Sequence, residues 1–185
     1  ELSIENFDDV FSIWLNNGGY ETVTGHMRQL NMTDVNAYSL TSQRILDLIP
    51  ETHKDFLDKH TVNYYQFDDF IFVHAGCDPS VKLENNENEL FFFDRKLCNY
   101  VIRNIAHNKE MFWKKTIITG HNSGLIKEYE STKSSPVIHQ KFMMLDCDSP
   151  NKLLVVELNS MDAFIAEPKK KRLVRYELCE TRVRS

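Results

Sequence analysis

Two short apolar runs in this chain each lead into a histidine. Residues Phe70–Val73 precede His74-Ala75-Gly76, and residues Thr116–Thr119 precede Gly120-His121-Asn122. Runs of β-branched and aromatic residues are typical of buried strands, and in α/β folds ligands bind where such strands end. Because a neutral imidazole is the commonest metal ligand, two histidines at one sheet edge indicate part of a metal site. Their wide separation in sequence leaves a hydrogen-bonded core histidine as an equal alternative.

Other polar residues have weaker claims to chemistry. Arg95 lies early in a predicted helix beside an aromatic patch, where an exposed helix arginine is common but bidentate phosphate binding is also possible. Asp146 and Asp148 flank Cys147 after an apolar run, and a turn at a strand end explains them better than metal ligation. The remaining histidines have no such context and are interpreted as surface or core residues: His26, His53, His60, His107 and His139.

Composition limits the class of protein. The chain has 185 residues, of which 42% are hydrophobic, so we expect a single domain over residues 1–185 with a real core. A net charge of −5 gives no overall basic field, which argues against a nucleic-acid partner. No apolar run approaches the ~20 residues that a membrane helix needs. The four cysteines form no CxxC pair, which favours reduced thiols and a cytoplasmic location.

The elements that would position the histidines fall into two parts. Hydrophobic periodicity predicts a helical first third, with a break at Gly18-Gly19 and with Phe56 and Leu57 on the buried side of the last helix. The predicted helices cover 4–15, 20–30, 34–48 and the residues that follow Pro50.

The second part is mostly strands. A hairpin over 62–67 and 70–74 is predicted to turn at Asp68-Asp69. A helix over 89–107 is expected to carry a core stripe, formed by Leu90, Phe93, Leu97, Val101 and Ile105. Further strands are predicted over 116–119, 137–145, 152–158, 162–166 and 172–179, and both tryptophans, Trp14 and Trp113, are expected in the core.

Five short motifs follow one another along the chain. They are Trp14-Leu15-Asn16-Asn17-Gly18-Gly19 with Thr22, Phe72-Val73-His74-Ala75-Gly76 with Pro79, Glu89-Leu90-Phe91-Phe92-Phe93-Asp94-Arg95, Thr119-Gly120-His121-Asn122, and Met144-Leu145-Asp146-Cys147 with Lys152-Leu153. In this order they resemble the calcineurin-like metallophosphoesterases. Within that superfamily they are most similar to the bacterial and phage serine/threonine phosphoprotein phosphatases, and to the related symmetrical dinucleoside-tetraphosphate hydrolases. The resemblance runs over about residues 10–158.

The resemblance implies an α+β fold of the α-β-β-α type, a two-sheet β-sandwich, of which this chain would hold the C-terminal portion and a helical cap. It implies a two-metal site, commonly with manganese and in some members with iron or zinc. His74 and His121 match the histidines that ligate the second metal, and Arg95 matches the arginine that holds the substrate phosphate. The implied substrates are a phosphorylated protein or a small phosphoester.

Three motifs of the family's N-terminal half have no counterpart ahead of Trp14–Gly19, the first matched motif. They are Asp-x-His, Gly-Asp-x-x-Asp-Arg-Gly and Gly-Asn-His-Asp/Glu, which supply the first metal's ligands, the bridging aspartate and the proton donor. The one Asp-x-His sequence in the chain, Asp58-Lys59-His60, lies in a predicted helix between the matched motifs. Cys147-Asp148 also replaces the family's Thr-Gly. Because the chain starts at Glu1 rather than at a methionine, we expect the N-terminal metal-binding half to be missing, either cut away or supplied by another chain. The isolated chain is expected to be nearly inactive and poorly soluble.

Three functions remain open at this point. The first is a metal-dependent phosphatase, a hydrolase whose other half is absent from this chain. The second is a binding or regulatory derivative of the same fold that has lost catalysis. The third is a dinucleoside polyphosphate hydrolase, since the same site cleaves both kinds of phosphoryl bond and surface loops select the substrate.

Overall fold

The chain divides into two units of internal contacts, Glu1–Thr61 and Val62–Ser185. The structure, a computed structural model, describes residues 11–122, 136–147 and 151–178. It is mixed α and β, with helices and two sheets, which agrees with the predicted α+β class. Part of the first predicted helix, over 4–10, lies outside the described residues, as do Asp148 and Cys179. The single domain expected over 1–185 stays a prediction.

The first unit is helical, as its periodicity predicts. Residues 11–14 are α-helical and continue into a π-helical turn, Leu15–Gly19. Gly18 has a φ of 106°, a conformation that glycine adopts without strain, so the chain bends at the predicted break. Three α-helices follow: α1 (Tyr20–Gln29), α2 (Ser42–Leu48) and α3 (Glu51–His60). The core of this unit consists of Leu15, Val23, Met27, Ala37, Ile45 and Leu48.

Three expectations for this unit are wrong. The helix predicted over 34–48 begins only at Ser42, and a separate 3-10 turn, Ala37–Ser39, precedes it. Helix α3 has no buried residue, and Phe56 and Leu57 are both exposed. Its Lys59–Asp55 and Lys54–Glu51 pairs lie along the helix surface, so α3 is a solvated helix and not one that supplies core. Trp14 is also 37% exposed, although its ring covers Gly19.

The second unit contains a five-stranded sheet. Its strands are β1 (Tyr64–Phe67), β2 (Phe70–Val73), β3 (Thr116–Thr119), β4 (Val137–His139) and β5 (Phe142–Met144), in the order β1-β2-β3-β5-β4. The three central strands, β2, β3 and β5, are parallel, whereas β1 and β4 are antiparallel to their neighbours. The β1–β2 hairpin turns at Asp68-Asp69, as predicted. The carboxyl ends of β2, β3 and β5 therefore meet at one edge.

The helix predicted over 89–107 is two helices. These are α4 (Asn88–Phe93) and α5 (Lys96–Ala106), and Asp94-Arg95 separate them. The break moves Phe93 off the expected core stripe, and its side chain is 69% exposed. Phe91 is buried instead and packs with α5 and the central strands. Trp113 is buried in the same core, as expected.

A second sheet of three antiparallel strands follows. It consists of β6 (Leu153–Val156), β7 (Ala163–Glu167) and β8 (Arg172–Tyr176). The basic run at Lys169–Arg172 lies at the β7–β8 turn, where Lys170 and Arg172 pair with Glu167. In the described part of the chain, no helix combines the length and the apolar character that a membrane crossing requires.

Candidate functional site

The two histidines lie at the same edge of the five-stranded sheet. His74 directly follows β2, and His121 lies two residues beyond β3. The backbone N–H of Gly120 donates to the carbonyl oxygen of His74 over 2.8 Å, so the parallel pairing extends past the ends of both strands. As a result the imidazole rings face each other, with centroids 5.0 Å apart and planes tilted by 55°. The structure thus brings together two residues that the sequence separates widely.

His121 occupies a strained turn. Its φ is 61°, and the backbone N–H of Asn122 donates to the carbonyl oxygen of Gly120 over 2.7 Å. A three-residue turn with positive φ at its centre is a rare γ-turn. For a residue with a Cβ, such a conformation costs about 1–3 kcal/mol, and this kind of strain clusters at functional sites. The turn directs His121 away from the line of β3 and toward the end of β2.

The spacing of the rings fits a shared metal ion. Metal–nitrogen bonds of about 2.1 Å at an angle of about 100° would place two imidazole centroids about 5 Å apart. The measured centroid separation is 5.0 Å. His74 is exposed and His121 half-buried, so an ion has access to both. The centroid separation is thus compatible with two imidazoles on one divalent ion, as it is with two rings in ordinary tilted contact.

Two imidazoles do not complete a metal site. Among the residues that the structure describes, no group of three or more His, Cys, Asp or Glu side chains is placed to hold an ion. Asp146 follows β5 at the same edge, and its charge acts on His121. It does not complete a ligand set with the histidines. The remaining ligands would have to come from outside the described residues.

The surroundings of His121 favour its neutral form. Burial lowers the pKa of His121 below its usual value, and the charges of His74 and Arg95 lower it further, while Asp146 acts in the opposite direction. Since a histidine must be neutral to ligate a metal, this environment suits ligation. Arg95 thus lies close enough to His121 for its positive charge to lower the pKa of that residue.

Arg95 lies in the short break between α4 and α5, with an exposed side chain. It is therefore not an ordinary helix arginine, since it stands at the turn that precedes α5. Asp94 fixes that turn. Its carboxylate accepts hydrogen bonds from the backbone N–H groups of Lys96 and Leu97, at 3.1 and 2.9 Å, and so caps α5.

The turn that carries Arg95 packs directly on the segment that carries His74. A Cβ added to Gly76 would lie 2.5 Å from Asp94 Oδ2, so only glycine allows this approach. The backbone N–H of Ala75 donates to the carbonyl oxygen of Phe91 over 2.8 Å, which joins the same two segments. The position of Arg95 relative to His74 is thus set by backbone contacts.

The sequence did not indicate that the side chain of Asn122 takes part in the candidate site. Its side-chain amide donates to the carbonyl oxygens of Ala75 (3.3 Å) and Asp94 (3.1 Å). The side chain is 2% exposed, and within the described residues its Oδ1 has no hydrogen-bond partner. An unpaired buried polar atom costs about 1–3 kcal/mol. The only feature of the sequence that could have indicated this role is the position of Asn122 just after Gly120-His121, and asparagine is common in turns at such positions.

An apolar cavity of about 330 Å³ adjoins the arginine's turn. Its lining includes Asp94 and Lys96, which flank Arg95, together with Tyr100 and Trp113. Its lining does not include the two histidines. The cavity is therefore adjacent to the phosphate-binding candidate rather than to the metal-binding candidates.

Comparison with known proteins gives no relative on which to base an assignment. No family model matches this chain, and no curated protein or solved structure matches it significantly.

Proposed function

We propose that this chain supplies part of the site of a metal-dependent phosphoester hydrolase of the serine/threonine protein phosphatase type. His74 and His121 would hold one metal of a two-metal site, and Arg95 would bind the phosphate. The observation that supports this most is the convergence of the two imidazoles, 5.0 Å apart, at the carboxyl edge of a parallel sheet. The finer fold, a C-terminal portion of a two-sheet metallophosphoesterase sandwich, is part of the same proposal.

The residues of this chain would have two roles. His74 and His121 would bind and orient a divalent metal, manganese in the first instance and iron or zinc as alternatives, and burial favours the neutral form of His121 that ligation needs. The guanidinium of Arg95 would bind two phosphate oxygens and offset the charge that develops on them. When bound, a metal pair polarises the phosphoryl group and lowers the pKa of water.

The rest of the site would come from a partner. In the described part of the chain, no third His, Cys, Asp or Glu joins the two histidines in a group that could hold an ion. A chain with the missing carboxylates and proton donor is therefore the partner we propose, with a phosphorylated protein or a small phosphoester as substrate. Cys77, Cys98 and Cys147 are free thiols, which supports a cytoplasmic location.

Metal binding tests the proposal most directly. We expect Zn²⁺ or Mn²⁺ to bind the wild-type chain by isothermal titration calorimetry, and His74→Ala to weaken binding at least tenfold because one of two ligands is lost. His107→Ala is the matched control, since His107 is an exposed histidine beyond α5. Equal binding by all three proteins would refute the metal site.

The activity of residues 1–185 is a second test. We expect almost no Mn²⁺-dependent hydrolysis of p-nitrophenyl phosphate, because two ligands and an arginine lack a bridging ligand and a proton donor. Robust turnover that His74→Ala abolishes would show that this chain holds a complete site.

A non-catalytic binding module is the second candidate, and the absence of a third ligand among the described residues favours it. Native mass spectrometry separates the two. A partner that carries Gly-Asp-x-x-Asp-Arg-Gly supports the hydrolase, whereas a metal-free chain without such a partner supports the binding module. For the complete assembly, a phosphopeptide and a dinucleoside tetraphosphate would distinguish a protein phosphatase from a dinucleoside polyphosphate hydrolase.

A further inference from the structure

We propose that Asn122 is the positioning residue of this site: its side chain holds the ends of β2 and β3 and the turn of Arg95 in one arrangement. The proposal rests on the proposed function, because it assigns Asn122 a role in the relative placement of His74, His121 and Arg95. Asn122 itself would touch neither metal nor phosphate.

Three hydrogen bonds from Asn122 reach three segments. Its backbone N–H donates to Gly120 at 2.7 Å and closes the γ-turn that holds His121. Its Nδ2 donates to the carbonyl oxygen of Ala75, the residue after His74, at 3.3 Å. The same Nδ2 donates to the carbonyl oxygen of Asp94, the residue before Arg95, at 3.1 Å. His74 and Arg95 are therefore each next in the chain to a residue whose carbonyl oxygen accepts from Asn122. His121 lies inside the γ-turn that the backbone N–H of Asn122 closes.

The chemistry of these contacts requires an amide. Both acceptors are backbone carbonyl oxygens, so the group between them must donate twice, and the NH₂ of asparagine does so. A carboxylate of the same size has no proton to donate and would face two carbonyl oxygens. Threonine and serine donate only one proton. The orientation of the amide is therefore settled by its acceptors, with Oδ1 pointing away from them.

The burial of the contacts makes them effective. Asn122, Ala75 and Asp94 are 2%, 1% and 7% exposed, so water does not compete with the two side-chain bonds. Without the amide, two buried carbonyl oxygens lose a donor at once. We expect the strained turn at His121 to relax, since strain of this kind persists only where the surrounding structure holds it. The imidazoles would then no longer be held at their present separation.

The test compares two variants of Asn122 with one matched control. Asn122→Ala removes both side-chain bonds, and Asn122→Asp keeps the size but not the donors. The control is Asn104→Ala, because Asn104 is also a buried asparagine with an unpartnered amide atom among the described residues. It lies on α5 about 12 Å along the helix from the first turn. Urea denaturation would establish that the variants compared are folded.

The readouts are the affinity for Zn²⁺, the affinity of the zinc-loaded chain for inorganic phosphate, and the nuclear Overhauser contact between the rings of His74 and His121. We expect Asn122→Ala to lose at least tenfold in both affinities and to lose the ring contact, while Asn104→Ala keeps all three. A folded Asn122→Ala with unchanged affinities and an unchanged ring contact would overturn the proposal. So would an equal loss in Asn104→Ala, which would indicate a general effect of stability.

Failure of the proposed function gives a different result. If the wild-type chain binds neither zinc nor phosphate, the phosphoesterase proposal falls, and the ring contact alone decides whether Asn122 positions the histidines. If neither Asn122 variant folds, hydrogen exchange of the Asn122 side-chain amide in the wild-type protein decides the matter. Slow exchange supports the two buried bonds, and exchange at the rate of a free amide overturns them.

Discussion

At the scale of single residues, the site depends on the protonation of His121. Its pKa is lowered first by burial, then by His74 and Arg95, and Asp146 opposes them. These contributions have opposite signs and come from separate elements, so each is open to substitution on its own. The balance decides whether the imidazole is available to a metal at moderately acidic pH.

We predict that His121 titrates below the usual histidine value of 6.5 in the folded protein. Arg95→Ala should raise its pKa, because a nearby positive charge is lost, and Asp146→Asn should lower it further. Proton NMR of the imidazole Hε1 signals over a pH series measures both shifts. Two substitutions that shift the pKa in the same direction would contradict this account of the charges.

The same shift sets the sign of a stability change. Because the folded pKa of His121 is lowered, the unfolded chain binds a proton first as the pH falls. The residue therefore destabilises the folded protein between the usual value of 6.5 and the lower folded value, and it has no such effect above the usual value. Below both pKa values the decrease in the free energy of unfolding has its full size and no longer changes with pH.

Sequence reasoning at this scale identified the residues that carry obvious chemistry and missed the one that connects them. His74 and His121 stand out because an imidazole at the end of an apolar run is unusual. Asn122 does not, because its importance lies in which two carbonyl oxygens it meets, one of them on a distant turn. The γ-turn at His121 is equally hard to predict, since a positive φ is uncommon at any residue with a side chain.

At the scale of elements, the N-terminus of helix α5 is stabilised by residues that precede it in the chain. Asp94 caps two N–H groups, and Gly76 leaves the space in which the carboxylate fits. The helix and the end of β2 are therefore coupled through a glycine. Changes at that glycine should affect helix stability and the arginine's turn together.

We predict that Gly76→Ala destabilises the protein by about 1–3 kcal/mol, because the new Cβ would lie 2.5 Å from Asp94 Oδ2 and displace the cap. Gly25→Ala is the control. Gly25 lies within α1 with nothing within 4 Å of an added Cβ, so alanine should stabilise the helix by about 0.5–1 kcal/mol. Urea denaturation measures both, and a neutral Gly76→Ala would show that the cap is displaced without cost.

Elements with local causes were predictable, and those with tertiary causes were not. The hairpin at Asp68-Asp69 and the strand Thr116–Thr119 follow from short-range pattern, and the structure contains both. The periodicity over 89–107 continues through Asp94, so it predicts one helix, whereas the carboxylate of Asp94 starts a new one. Periodicity predicted that the hydrophobic side of α3 is buried, but the side chains of that helix are not buried. Periodicity shows that a helix is amphipathic, and it does not show whether another element covers the apolar side.

At the scale of the whole molecule, the second unit presents an apolar sheet face to solvent. The register pairs Val155 with Phe164 and Ala166 with Leu173, so these side chains share one face of the three-stranded sheet with Leu153. Leu153, Val155 and Leu173 are each more than half exposed. Exposed apolar surface of this kind promotes association. The poor solubility expected from the sequence stays a prediction.

We predict that the chain self-associates with increasing concentration and that Val155→Thr with Leu173→Thr weakens this association about tenfold, or about 1.4 kcal/mol. Threonine is a good strand former, so it should lower the apolar character of this face without disrupting the strands. Val35→Thr, an exposed position in the helical unit, should have no effect. Sedimentation velocity over a concentration series measures all three proteins, and a wild-type chain that stays monomeric throughout would contradict the prediction.

The strand order of the five-stranded sheet also determines at which stage of folding His74 and His121 come into contact. The two antiparallel hairpins, β1–β2 and β4–β5, close over short turns and can form early. The parallel pairings of β2 with β3 and of β3 with β5 join distant parts of the chain, and such contacts form slowly. His74 and His121 meet only after β2 and β3 have paired. A bound metal would therefore hold the finished sheet closed and slow its unfolding, without accelerating the folding that precedes it.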